Sequence, residues 1–326
     1  MWPLRQGKNI FIAVYYREAV KIVQFKNEPQ TVDIGIYLKK KRELVDRFLT
    51  SYLSSLKTNN SCPKYLYRAM AYSLLAGGKR LRPIFAIASY EAAGRKPKNI
   101  VPVAASLELI HTYSLIHDDL PTMDNDDFRR NKPANHRVFG EAIAILAGDA
   151  LLTDAFSVIA KALTKPEILI NIIRELTYAC GSEGMVGGQT ADIVFEDRKI
   201  RKKELLYIHT HKTGALIRAS VCIGAIMADA SPVVLRSLTK YGENVGLAFQ
   251  ITDDILDVVG KRKELGKPTG ADATKGKNTY PSVFGLEESK RTAESLIEDS
   301  LKALERFDKK AEPLREIAKY ILARRN

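Results

Sequence analysis

The sequence predicts an all-α protein, and three observations carry that expectation. Apolar residues recur at spacings of three and four, as in Leu44, Phe48, Tyr52 and Leu53, or Leu301, Leu304 and Phe307, which is the helical period. Alternating apolar and polar runs that would mark strands are scarce. Glycine and proline cluster at intervals that leave room for roughly ten helices, about what a helical domain of this size holds. With 326 residues and 45% hydrophobic content, the chain can bury a large core.

Taken in order, residues 1–30 carry five basic and two acidic side chains and a short apolar patch at 10–16. A secretory signal wants a longer apolar core and a small-residue cleavage site, and a transit peptide more Ser and Arg. This stretch is therefore set apart as an N-terminal extension of unknown role. From 31 to 326 there is no composition shift, low-complexity segment or fixed-period repeat, so a single domain is expected. Breaks are expected at Gly77-Gly78, 94–97, Pro121, Pro133, Lys165-Pro166, Gly187-Gly188, Ser231-Pro232, 266–270 and Pro313. Segments 100–117 and 233–259 are apolar on all sides until their C-terminal ends, which places them in the middle of a bundle. No stretch without a charge exceeds ten residues, 219–228 among them, about half of a bilayer span, so no membrane insertion is expected. Three cysteines, Cys62, Cys180 and Cys222, have no zinc spacing and fit buried thiols in a reducing, cytoplasmic setting. The balance of 51 Lys and Arg against 38 Asp and Glu, a net charge of +13, asks for an anionic partner without choosing one.

Both central helices end in carboxylates. The first cluster holds Asp118, Asp119, Asp124, Asp126 and Asp127. Asp118 and Asp124 would stand about 120° apart on a straight helix, but Pro121 ends or kinks the helix and lets Asp124 fold back. The second cluster is Asp253, Asp254 and Asp257. Asp253 and Asp257 lie one turn apart on one face, and Gln250 is expected to join them. Like charges at that spacing destabilise a helix, and carboxylates at an apolar helix end are costly to desolvate unless a cation neutralises them. Either cluster alone reads equally as a solvated helix end. Two on two apolar helices favour a divalent cation, and oxygen-only ligands favour Mg²⁺, with Mn²⁺ possible, over zinc.

Mg²⁺ bridges carboxylates to phosphate oxygens, so cations near glycine turns matter next. Gly77-Gly78-Lys79-Arg80-Leu81-Arg82-Pro83 is a glycine turn entering an apolar helix, with free backbone N–H groups and three cations. It lacks the upstream Gly and the following Ser or Thr of a P-loop. Further cations stand in Arg129-Arg130, in Lys212-Thr213-Gly214 and between Lys267 and Lys277. His111, two turns before Asp118 on nearly the same face, reads either as a core histidine or as a group facing the same anion.

Together these segments resemble the trans-isoprenyl diphosphate synthase family, and within it the bacterial farnesyl diphosphate synthases. The matching residues are Gly77 to Pro83, the run from Glu108 through His111 and Asp118-Asp119 to Asp124, Gly187-Gly188-Gln189, Lys212-Thr213-Gly214, Phe249-Gln250 through Asp253-Asp254 to Asp257, and Gly276-Lys277-Asn278-Thr279-Tyr280-Pro281. One departure is Asn131, where the family usually has Gly, so a local backbone difference is expected there. The resemblance implies an isoprenoid-synthase helical bundle with a deep central cavity and three Mg²⁺, held by Asp118, Asp119, Asp124 and Asp253. It implies that Arg129, Lys212 and Lys267 bind an allylic diphosphate, and that Lys79, Arg82, His111 and Arg130 bind isopentenyl diphosphate. Thr213 and Gln250 would line the path of the carbocation, Asp254 and Asp257 complete the catalytic set, and Lys277 would close over the site. A homodimer is the implied assembly.

The implied chemistry suits these residue types. Ionising an allylic C1–O bond leaves a pyrophosphate whose extra charge cations stabilise more in the transition state than in the ground state. Apolar helices and a basic closing segment keep water from the cation. Tyr113 lies five residues before Asp118, about 7.5 Å along the helix axis, where with Ser114 it would floor the cavity. In the resembling family an aromatic there, with the two-residue insertion in the first aspartate motif, accompanies a fifteen-carbon product. The alternatives are a geranylgeranyl diphosphate synthase, a terpene cyclase, a metal-dependent phosphohydrolase that would want more than the five histidines present, a catalytically silent synthase subunit, and a nucleic-acid binder. The last lacks any interleaving of aromatic and basic residues, so no nucleic-acid partner is expected.

Overall fold

The computed structural model describes residues 32–58, 62–97, 99–259 and 277–323. The N-terminal extension, the expected break at 266–270 and Lys267 lie outside them.

Helices dominate, and they run α1 (Ile34–Thr58), α2 (Lys64–Leu74), α3 (Leu81–Ala92), α4 (Val101–Asp118), α5 (Asn135–Phe139), α6 (Glu141–Ala160), α7 (Pro166–Cys180) and α8 (Met185–Val194). After these come α9 (Lys202–Ile208), a π-helical turn (His209–Gly214), α10 (Ala215–Met227), α11 (Pro232–Val259), α12 (Tyr280–Phe284), α13 (Leu286–Ala303) and α14 (Glu312–Ala323). One two-stranded hairpin, β1 (Phe128–Arg129) with β2 (Lys132–Pro133), interrupts them. Prolines sit where their missing N–H costs nothing, in the first turns of α4, α7 and α12.

Two large apolar clusters form the interior. One joins Val45 and Leu49 of α1 to Leu107 and Ile110 of α4, Leu151 of α6 and Leu176 of α7. The other joins Phe85 of α3 to Val221 of α10, Tyr241 of α11 and Leu314 of α14; there the Tyr241 hydroxyl donates to the Leu314 carbonyl at 2.6 Å.

The expectation of two all-round apolar helices needs correction at α11. Along α4 nearly every side chain from Val103 to Ile116 is buried. The first half of α11 instead exposes Val233, Arg236, Lys240 and Glu243, and the helix is mostly buried from Asn244 to Asp254. The helix enters along the surface and dives into the bundle, so only its aspartate end is central. The third central helix is α10, whose residues are almost all buried.

Gly187-Gly188 is likewise no break. Both glycines lie within α8, because a Cβ on Gly188 would stand 2.1 Å from the Lys212 backbone nitrogen. The glycine admits the backbone of the π-helical turn rather than ending a helix. At Asn131 the hairpin turn has φ of +53° at Arg130 and +60° at Asn131, the paired left-handed conformation of a type I′ turn. Asn tolerates that region as Gly does, so the departure from the family's residue leaves a conformation Gly would also take.

Candidate active site

The C-terminal end of α4 builds the first acidic wall. The helix stops at Asp118, ahead of Pro121, and the chain turns back so that the Asp124 amide donates to the Asp118 carbonyl at 2.8 Å. The return that the proline implied is therefore made by the backbone. Burial pushes the Asp118 carboxyl up to about 6; Asp124's charge adds to this, while Lys212, Arg129 and Lys277 pull the other way. Asp119 is buried and takes the Arg129 guanidinium, with Nε at 2.8 Å, and Arg129 also reaches Asp126 at 3.1 Å. Arg129 thus pairs with the first carboxylate cluster.

The second wall is the end of α11. Asp253 and Asp257 are half-buried, and Asp253 is close enough to Arg82 to raise its pKa. Asp254 points elsewhere. It is 3% exposed and accepts hydrogen bonds from His209 Nε2 at 2.7 Å, the Tyr280 amide at 2.7 Å and Gln250 Nε2 at 2.8 Å. Gln250 consequently turns its amide to Asp254 rather than to the Asp253 face, and its Oε1 accepts from Thr213 Oγ1 at 2.8 Å.

Lysines bridge the walls. Lys277 Nζ lies 2.9 Å from Asp124 and 3.9 Å from Asp192 of α8, and Lys212 Nζ lies 2.6 Å from Asp192. Lys212 and Thr213 sit on the π-helical turn, an irregularity frequent at functional sites, and line two adjoining spaces. One is a cavity of about 420 Å³ whose walls include Arg82, His111, Tyr113, Ser114, Asp118, Met185 and Ile193. The other is a polar pocket of about 100 Å³ bounded by Asp192, His209, Gln250, Asp254 and Lys277.

A cationic wall closes the side nearest α3. The glycine turn has φ of +89° at Gly77 and +124° at Gly78, and the Arg130 guanidinium lies against it, donating to the Gly77 carbonyl and reaching Glu108 at 3.5 Å. A Cβ on Gly78 would stand 2.9 Å from that guanidinium, so the glycine's lack of a side chain is what admits it. The three cations of the turn divide. Lys79 is exposed. Arg82 lines the cavity, and its Nε has no hydrogen-bond partner; burial lowers its pKa to about 10, with Glu108 and Asp253 opposing. Arg80 is instead a structural residue, buried and donating to Glu108 at 2.6 Å, Asp46 at 2.9 Å and the Leu74 carbonyl at 2.8 Å. Burial holds His111 well below the usual imidazole range, helped by Arg82, Arg130, Arg129 and Arg80, so a neutral ring faces the cavity.

Among the described residues no three carboxylate, His or Cys side chains converge into a ready-made metal cage. That suits Mg²⁺, which keeps several waters and binds through one or two carboxylates plus substrate phosphates. Asp118, whose carboxyl is raised chiefly by burial, and the oxygen-only donors Asp124 and Asp253 fit such a hard cation.

Comparison with known proteins decides the class of this site. The polyprenyl synthetase family matches residues 63–321. The chain belongs to that family. It is a prenyltransferase of the trans-isoprenyl diphosphate synthase type. It is 44% identical to a farnesyl diphosphate synthase of Geobacillus stearothermophilus over 88% of this chain and 97% of that one. It is also 44% identical to a geranylgeranyl diphosphate synthase of Cyanophora paradoxa, over 89% and 96%. A crystal structure of geranylgeranyl pyrophosphate synthetase from Pyrococcus horikoshii superposes with a TM-score of 0.81 at 32% identity, covering 90% of this chain and 98% of that one.

In this polyprenyl synthetase, four residues to which sequence reasoning gave no role are built into the site. Glu108 sits one turn before His111 as a charge in an otherwise apolar helix, which was its available signal. Asp46 and His209 carried none, because their partners lie 34 and 45 residues away. Asp192, three residues after Gln189, anchors both bridging lysines.

Proposed function

We propose that the enzyme catalyses Mg²⁺-dependent head-to-tail condensation of isopentenyl diphosphate with dimethylallyl and geranyl diphosphate to give farnesyl diphosphate. The observation that carries this reading is the junction at Lys212 and Thr213. There an apolar-floored cavity of about 420 Å³ meets a polar pocket, with an acidic helix end on either side. The allylic diphosphate would lie at that junction near Arg129, Lys212 and Lys277. Isopentenyl diphosphate would lie against Lys79, Arg82, His111 and Arg130.

Asp118, Asp119, Asp124 and Asp253 would hold Mg²⁺, which would supply charge neutralisation for the departing pyrophosphate. The chain's own groups do the rest. Cations already placed by Asp192 and Asp124 need little reorganisation when charge develops. The Gln250 and Thr213 oxygens face the region where the allylic cation forms. The neutral His111 ring can hydrogen-bond an anion without adding charge of its own. Asp254 and Asp257 act behind this set, Asp254 by positioning its neighbours. The catalytic unit proposed is the single domain 31–326, assembled as a homodimer.

Relatives carrying the geranylgeranyl name keep a twenty-carbon product as the second reading. Purified protein incubated with Mg²⁺, labelled isopentenyl diphosphate and each allylic primer, followed by product sizing, tests both. A fifteen-carbon product is expected, with turnover lost by at least 100-fold in Asp118→Ala and Asp253→Ala, the scale of removing a group that stabilises transition-state charge. Absence of condensation with every primer overturns the reading.

A further inference from the structure

The buried pair His209 and Asp254 has no evident place in ionisation or condensation. Each side chain is only 4% exposed. The His209 Nε2–H donates to Asp254 at 2.7 Å, while its Nδ1 is buried without a hydrogen-bond partner, so Asp254 is the polar contact that accounts for the ring. Oδ2 serves His209 and the Tyr280 amide, and Oδ1 serves Gln250.

The Tyr280 amide links this pair to the site. Tyr280 opens α12, and the chain just before it carries Lys277, whose ammonium lies 2.9 Å from Asp124 across the pocket. The segment 277–280 is fastened at two further points. Asn278 Nδ2 donates to the carbonyls of Phe195 and Arg198 at 3.1 Å each. Thr279 and Ser282 bond reciprocally in a capping box. The Asp254 carboxylate fastens this segment to the second aspartate helix, and a carboxylate buried at the turn of three elements holds one orientation only if its partners are fixed. The His209 ring, tilted against the Tyr280 ring at 6.0 Å between centroids, supplies that constraint from the π-helical turn.

We propose that His209 is a positioning residue: through Asp254 and the Tyr280 amide it sets where Lys277 stands against Asp124, and so tunes binding of the allylic diphosphate. This rests on the prenyl-transfer reading above, and it reassigns Asp254 from the reacting atoms to the support of the lysine arm.

The test compares His209→Ala, His209→Gln, Lys277→Ala and the His209/Lys277 double variant with the wild type, using Mg²⁺, isopentenyl diphosphate and geranyl diphosphate. His209→Ala should raise KM for the allylic substrate about tenfold, the effect of losing one hydrogen bond to a charged group, with KM for isopentenyl diphosphate within about twofold. His209→Gln, whose amide can reach the same carboxylate, should recover most of the loss. The double variant should be no worse than Lys277→Ala, since a residue acting through another shows no separate effect. If His209→Ala folds poorly, His209→Asn takes its place. Full additivity in the double variant, an equal rise in both KM values, or no recovery in His209→Gln overturns the proposal. Hydrogen exchange at the Tyr280 amide is independent of turnover. It should quicken in His209→Ala, and unchanged exchange overturns the proposal even if the wild type condenses nothing.

Discussion

Tyr113 is where the size of the product is argued. Its ring is 7% exposed and meets the His117 ring edge-on, with centroids 5.7 Å apart at 77°. His117 is itself held by the Ile145 carbonyl at 3.0 Å and seated over Gly148, where a Cβ would lie 2.1 Å from Nε2. The two rings form a braced floor, with Ser114 beside them in the cavity wall. Replacing Tyr113 with Ala removes the phenol from that floor, so a growing prenyl chain should pass it. Product sizing should then find chains longer than fifteen carbons as the main species, and an unchanged product would place the stop elsewhere. Much at this scale was legible in sequence, because His111, Asp118 and Tyr113 share one helix and fixed spacing puts them along one cavity. The division of Arg80 from Arg82 was not. Both follow the same glycines, and the distant Asp46 and Glu108, with the Leu74 carbonyl, draw Arg80 inward.

Between elements, the contact of α8 with the π-helical turn sets the position of Lys212. Helix propensity alone expects Gly188→Ala to stabilise α8 by about 1 kcal/mol. The backbone of Lys212, 2.1 Å from where the new Cβ would stand, argues the opposite, since overpacking against main chain costs about 1–3 kcal/mol and cannot relax by a side-chain rotation. Gly188→Ala should therefore lower the thermal unfolding midpoint by several degrees, and a raised midpoint would show the two elements able to separate. The same contact explains why Gly187-Gly188 reads as a break in sequence. Glycine that opens a turn and glycine that admits a neighbour look alike until the neighbour is known. Helical period, by contrast, is local. It revealed the central run of α4, and it overstated α11, whose exposed Arg236, Lys240 and Glu243 are spaced by three and four along one face.

For the molecule as a whole, the charge of +13 is a poor guide to the site. Its cations stand beside carboxylates there, with Arg129 on Asp119, Lys212 on Asp192 and Lys277 on Asp124, so local charge is balanced where the sum is not. A better whole-molecule signal is α6, which by length and composition alone could cross a bilayer. Its inner face packs on α4, and its outer face shows Ala142, Ile145, Leu146, Asp149 and Thr153 in one stripe. Ile145 and Leu146 are 43% and 53% exposed, where a surface helix normally carries charge. A lipid-facing stripe would want basic flanks and no carboxylate at its centre, so a protein surface is the better fit. In the proposed homodimer, a second copy meeting the same stripe about a two-fold axis would close the patch. It would also bury the back of Gly148 and His117, directly behind the first aspartate cluster. Ile145→Lys with Leu146→Lys places like charges face to face in such a pair and leaves the Ile145 carbonyl free to hold His117. Light scattering should give a dimer mass for the wild type and half of it for the double variant, with helical content by circular dichroism unchanged. A double variant that keeps the dimer mass would mean that copies meet through another face.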